Sequence, residues 1–340
     1  MTLPSLNKYL RYFHEQIPLF RQNKYVQILV LRETKSYAIF TTEGDALDTE
    51  QLQAGYTDTN AKKTIDRVVM FKRKQIAPER RTGKALLRQF GLVGDGNGEP
   101  KSSPKACYLM EGMCGECPDC VLYGFAAVQG ESSQKSRLLT DSAFTLRSYT
   151  QIQKMIKLNA IQDKTEGGVA GSAFAERDTL IPQVFLPCVE TLVDVTPDEF
   201  VYVLGNILQT TRYGAEANRE GYIRNHVVGI SFGNVEKLSN LDLTQRLYDK
   251  LAGEGQLADA LHLSQFINAD GTDGVILEVF EELLSALPGH SLAMPNPELK
   301  ALLNEVYSIY NELDNSQDFL TRLDTAARSY ANTKNGRSRN

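Results

Sequence analysis

Tryptophan is absent from the 340 residues, so Tyr (15) and Phe (14) must supply the large aromatic groups of any core. Only four histidines occur, and His14, His226, His262 and His290 stand in no triad or metal-ligand spacing. No G-x-x-x-x-G-K-[ST] phosphate loop is present. No stretch approaches the ~18 apolar residues of a membrane span. The first residues, MTLPSLNKYLRYFHEQ, lack a basic region followed by an apolar run. These absences argue against a signal peptide, a membrane protein and the common nucleotide hydrolases. A soluble, cytoplasmic protein with no membrane contact is expected.

The chain is 42% apolar, which is enough for a sizeable core. Its net charge of −5 argues against a generic nucleic-acid binder, but the charge is segregated. Residues 241–320 hold 14 acids and 3 bases, a balance of −11, so the remainder sums to +6. The sharpest basic run is 62–88: Lys62, Lys63, Arg67, Lys72, Arg73, Lys74, Arg80, Arg81, Lys84 and Arg88, against Asp66 and Glu79. Such a run is either a solvated helix surface or a positive face for a polyanion.

Cysteine is scarce too, yet three of the five fall within MCGECPDCVLYG (113–124), at i, i+3 and i+6. Clustered thiols in a chain of this size point to a metal more than to disulfides. With Cys107 upstream, Cys114, Cys117 and Cys120 complete a tetrahedral zinc set. Structural zinc is the expectation. An iron–sulfur cluster or reduced, unliganded thiols remain as alternatives, although the ferredoxin run is broken by Gly124. Cys188, in VFLPCVETL, reads as a buried core cysteine.

Strand and helix signals alternate up to about residue 236. KYVQILVLRE (24–33) and SYAIFTTEG (36–44) suggest a hairpin, and DRVVMFKRK (66–74) a strand ending in charge. PERRTGKALLRQFG (78–91) reads as a helix with its proline at the start. NAIQDKTEGGVAGSAFAERD (159–178) reads as an exposed hairpin or mobile loop, and DEFVYVLGNILQTT (198–211) as a helix. From 241 the pattern is helical. The fold class is therefore α+β, with long insertions and an acidic helical segment attached. The predicted divisions are 1–236, with insertions at about 91–135 and 159–178, then helices over 237–328 and a flexible basic tail at 329–340.

Three segments suit a phosphate backbone. The first carries Lys72, Arg73, Lys74, Arg80, Arg81, Lys84 and Arg88; the second has Ser136 and Arg137. The third, TTRYGAEANREGYIRNH (210–226), mixes Arg212, Arg219 and Arg224 with Tyr213 around Gly214, so backbone can approach closely and side chains can stack on bases. The acids of TEGDALDTE (42–50) could hold a metal for phosphodiester cleavage, which leaves a metal-dependent nuclease as an alternative. A zinc-stabilised protein–protein adaptor is another.

CPDCVLYG followed by SRLLTDSAF resembles the C-x-x-C-x-L-F-G … S-R-L-x-x-x-D-A pattern of the RAMP superfamily, in particular the Cas-seven backbone subunits of CRISPR effector complexes. APERRTGKALLRQFG resembles that family's P-x-x-x-x-K-G-x-L-R-x-L helix, and LGNILQTTRYGAEANREGYIRNHVVGI its late helix and Gly-rich loop. The resemblance covers roughly 65–236. CGECPDC with RYGA points to the Csc-two group of the type I-D Cascade. The resemblance implies an RRM-like, ferredoxin-type palm with an inserted zinc-finger-like lobe, a thumb hairpin and appended helices. It implies a subunit of antiviral defence that stacks head to tail with its own copies along a CRISPR guide RNA (crRNA). The guide would pair with a target DNA strand, or RNA, and other Cascade subunits would complete the filament. By the same resemblance Lys84 and Arg88 face the RNA, Arg137 follows the finger, Tyr213 and Gly214 line the RNA path, and 164–178 is the thumb. The chain departs from the pattern where the family helix reads S-x-K-G and this one TGKA (82–85). No clear equivalent of a catalytic Asp follows the first strand, where only Glu33, Glu43 and Asp45 occur, so binding without cleavage is expected.

Overall fold

The structure is a computed structural model that describes residues 3–94, 106–108, 112–126, 133–161, 170–215, 221–253, 257–268 and 274–337. A 3-10 segment, Pro4–Tyr12, opens the chain and packs Leu6, Tyr9 and Tyr12 inward. Strand β1 (Tyr25–Thr34) is buried along its whole length, as its Val/Ile/Leu run suits a strand covered on both faces. Strands β2 (Thr49–Gln53) and β3 (Thr64–Met70) lead into helix α1 (Lys72–Gln89). After the cysteine segment come α2 (Pro118–Tyr123), β4 (Leu138–Thr140), β5 (Ala143–Phe144) and the single turn α3 (Tyr149–Ile152). Strands β6 (Gln153–Ile161), β7 (Ala170–Leu180) and β8 (Phe185–Val193) precede helix α4 (Pro197–Gln209). Then follow β9 (Arg212–Tyr213), β10 (Gly221–Gly233), α5 (Asn240–Ala252), α6 (Val275–Ala286), β11 (Ser291–Ala293), α7 (Asn296–Asn311) and α8 (Leu313–Arg337).

The main sheet runs β11-β10-β1-β8-β4, with β9 added to β10. Every neighbouring pair is antiparallel. Helices α1, α4, α7 and α8 share the larger hydrophobic core with one face, through residues such as Val30, Leu87, Phe200, Leu204, Leu302 and Leu320. On the other face α5 and α6 form a second core with Leu29, Leu31, Phe185 and Val189. The alternation of β1 decides this split, because successive side chains enter opposite layers. The acidic helical segment is thus divided between both faces of the sheet. Residues 329–337, expected as a flexible tail, continue helix α8.

Three local expectations are corrected. Segment 36–44 does not form a hairpin with β1: it contributes one bridge, Ala38 to Leu180, while β1 pairs with β10 and β8. The charged end of 66–74 is helical from Lys72, so Pro78 lies inside α1 instead of opening it. The proline has no N–H to donate four residues back along the helix, a loss the rest of an 18-residue helix outweighs. The stretch after 241 is not wholly helical, since the short strand β11 pairs with the end of β10. The 159–178 hairpin is present as β6 paired with β7, and its tip, 162–169, lies outside the described residues.

Candidate functional site

Cys107, Cys114, Cys117 and Cys120 converge, with all four sulfurs within 4.8 Å of one another. Cys107 Sγ stands 3.8 Å from Cys117 Sγ and 3.4 Å from Cys120 Sγ, and Cys114 Sγ stands 3.9 Å from Cys120 Sγ. None is in a disulfide. Among the described residues this is the one group of three or more His, Cys, Asp and Glu side chains gathered for a common ion. The loop geometry is fixed by backbone amides: the Cys114 N–H donates to Cys107 Sγ at 3.5 Å and the Cys117 N–H to Cys114 Sγ at 3.4 Å. Cys107, accepting from the other three thiols, has its pKa driven far below the ordinary thiol value. Cys120 is driven far above it, chiefly by Cys107. Pro118 at the first turn starts α2, which carries Cys120 and buries Val121, Leu122 and Tyr123. The centre therefore sits against the main core, where Cys107, Cys117 and Cys120 are themselves buried.

Helix α1 faces this centre with its cations. Arg80 holds the Asp119 carboxylate with both ends of its fork, Nε to Oδ1 at 3.0 Å and Nη2 to Oδ2 at 2.7 Å. Lys84 Nζ lies 3.2 Å from Asp119 Oδ2 and donates to the Cys107 carbonyl at 3.4 Å. Arg88 Nη2 donates to the same carbonyl at 3.1 Å. Burial works against the charges of Arg80 and Lys84, but Asp119 outweighs it, so both pKa values lie above the ordinary ones.

The other predicted contacts fall in separate places. Ser136 donates to the Leu138 carbonyl and Arg137 is nearly buried, paired with Glu199 and donating to the Asp194 carbonyl at 3.0 Å. Tyr213 is fully buried and donates to Glu79 Oε1 at 2.8 Å. Gly214 has φ +128°, and a Cβ there would lie 2.7 Å from the Ile39 carbonyl, so no other residue fits this turn. Lys72 and Arg73 border an open cleft with Glu43 and Asp48. Lys74, Arg81 and Arg212 each engage another group of the protein. Arg224 is exposed on β10, and Arg219 lies outside the described residues. Arg81 and Arg212 do come together. They flank an open cleft with Thr82, Gln209, Thr210 and Thr211, in which the Thr210 and Thr82 hydroxyls bond at 2.8 Å. The Arg212 guanidinium lies over the Tyr222 ring at 5.5 Å.

Two features escape sequence reading. Asp119, fully buried, had a weak signal as an acid set between two cysteines. The other is a sealed network: Arg32 Nη2 contacts Glu190 Oε1 at 2.7 Å and Glu79 Oε1 at 2.9 Å, and Arg32 Nη1 donates to Tyr213 Oη at 3.0 Å. Nothing local announces it, because its members come from β1, α1, β8 and β9.

The crystal structure of Thermofilum pendens Csc2 is similar in fold, with 18% identity, a TM-score of 0.54, and coverage of 95% of this chain and 94% of that one. A chain of a CRISPR RNA-guided surveillance complex gives 10% identity and a TM-score of 0.44 over 78% of this chain and 87% of its own. A chain of a type IV-B CRISPR complex gives 14% and 0.38 over 59% and 89%. No curated protein matches the sequence. The family model for Csc2 Crispr matches residues 12–320, so the chain belongs to the Csc2 CRISPR family.

Proposed function

We propose that the protein is a guide-RNA-binding backbone subunit of a type I-D CRISPR effector complex in the cytoplasm. Copies stack head to tail along the RNA, join other Cascade subunits, and present the guide for pairing with a target strand without cutting it. The observation that carries this reading is the cleft of Arg81, Arg212 and three threonines. Two guanidiniums beside hydroxyls suit a sugar–phosphate strand. The order β10-β1-β8-β4, with α1 and α4 on one face, supports the RRM-like, ferredoxin-type palm. The β6–β7 pair supports the thumb.

The four thiols support a structural zinc ion. A tetrahedral site with Zn–S bonds of about 2.3 Å needs sulfurs about 3.8 Å apart; two separations are 3.8 and 3.9 Å, a third is shorter at 3.4 Å, and all four sulfurs lie within 4.8 Å of one another. Bound there, zinc would tie the segments before and after the 109–111 stretch to α2 and contribute folding energy.

RNA carried through purification tests the reading. Without tryptophan the absorbance at 280 nm is modest, so a raised 260/280 ratio is conspicuous. Sequencing should return a constant repeat-derived handle joined to varied spacers. Arg81→Glu with Arg212→Glu should lower the ratio to that of bare protein while the folded spectrum persists. An unchanged ratio would remove the cleft from the RNA path.

A further inference from the structure

Helix α1 presents Arg80, Lys84 and Arg88 to one spot, and that spot is the cysteine centre. Arg80 and Lys84 share Asp119, which has no solvent exposure and lies between Cys117 and Cys120. Lys84 and Arg88 share the carbonyl of Cys107, and Lys84 also reaches Met113 Sδ at 3.7 Å. Arg80 additionally donates to the Gly124 carbonyl at 3.1 Å and covers the Tyr123 ring. Each cation therefore touches a residue that is, or flanks, a thiol of the set.

Among the described residues, Asp119 is the carboxylate that Arg80 and Lys84 meet, while Glu116, between Cys114 and Cys117, is held by Arg328, and the charges explain why three cations gather here. A divalent ion held by four thiolates carries a net charge of −2, in a place where Cys107, Cys117 and Cys120 are buried. An uncompensated charge of that size would be costly out of water. Arg80, Lys84 and Arg88 bring +3 and Asp119 −1, so cations, carboxylate and loaded cluster sum to zero. With four neutral thiols in its place the same pocket would hold +2.

We infer that Arg80, Lys84 and Arg88 are positioning residues of the metal centre, neutralising the tetrathiolate–metal charge and making metal occupancy fix helix α1. This rests on the proposed metal reading. It assigns Lys84 and Arg88 an indirect part in holding RNA: they seat α1, and α1 carries Arg81 to the cleft with Arg212.

The test uses full-length protein stripped of nucleic acid in high salt. Zinc affinity is read by competition with a colorimetric chelator, and the seating of α1 by hydrogen exchange of amides 72–90. Lys84→Met and Arg88→Met remove charge and keep a stem. Each should weaken zinc binding roughly 10- to 100-fold, as losses of outer-shell partners do. Lys84→Arg should retain near-wild-type affinity. Cys117→Ser, or chelation of the wild type, should raise exchange over 72–90. If Lys84→Met fails to fold, Arg88→Met decides, since its contact is a single carbonyl near the helix end. Zinc affinity and exchange unchanged in the Met variants, with RNA binding lost, would overturn this inference and make the residues direct RNA contacts. Wild-type protein with less than about one zinc per chain would overturn the metal reading and this inference with it.

Discussion

Arg32, Glu79 and Glu190 meet with no solvent around them, one guanidinium against two carboxyl groups. Two ionised acids would leave a buried negative charge, so the trio favours one retained proton. Burial first, and Glu79 beside it second, push the Glu190 pKa well above the usual carboxylate range. A carboxyl raised in the folded state stabilises fully below its unfolded value, about 4.3, and that contribution is lost as pH climbs toward the folded value. Glu190→Gln keeps an acceptor for Arg32 and removes the titration. The melting temperature of the variant relative to wild type should therefore rise steadily between about pH 5 and pH 8. A gap that stays flat across that range would mean that both acids are ionised. Residue type alone gave no hint of this trio, nor of the inward turn of Arg137. A cation in a sequence does not disclose whether an acid waits for it: Glu199 lies 62 positions away and Asp119 lies 39 from Arg80. The cysteines were legible because their spacing is local.

Elements were legible where the signal was local too. Helix α4 is announced by Thr196, Pro197 and Glu199, and the structure has the Thr196 hydroxyl accepting from the Glu199 N–H. β1 was legible as a strand but its partners were not, because β8 and β10 lie more than 150 residues further on. The TGKA departure in α1 acquires a reason at this scale. Helix α1 meets α4 at Gly83, where a Cβ would stand 2.3 Å from Tyr202 Oη and 2.6 Å from Asn206 Nδ2. Both of those side chains are fully buried and have little room to retreat. Gly83→Ala gains up to about 1 kcal/mol of helix propensity but incurs roughly 1–3 kcal/mol of overpacking. The net should be a loss of about 1 kcal/mol in denaturant unfolding. A stabilised Gly83→Ala protein would show that the two helices can separate without penalty.

Over the whole molecule, the basic run divides in a way that composition could not show. Part of the basic run at 62–88 is turned inward. Arg67 bonds three carbonyls, those of Ala54, Thr145 and Leu146, and Arg80, Lys84 and Arg88 serve the cysteine centre. What remains outward is smaller than the sequence suggested, and Arg81 with Arg212 is its best-defined part. That distinction is measurable, because only cations that touch phosphate release counterions on binding. For single-stranded nucleic acid each such contact contributes about 0.7 to the slope of log affinity against log salt. Arg81→Ala with Arg212→Ala should therefore flatten the slope by roughly 1.4. Lys84→Met, acting through the position of α1, should lower affinity at every salt concentration and leave the slope within about 0.3 of wild type. Filter binding of a labelled single-stranded RNA between about 50 and 300 mM salt resolves these outcomes. An unchanged slope in the double variant would place the phosphate contacts elsewhere, and a slope altered by Lys84→Met alone would return that residue to the RNA.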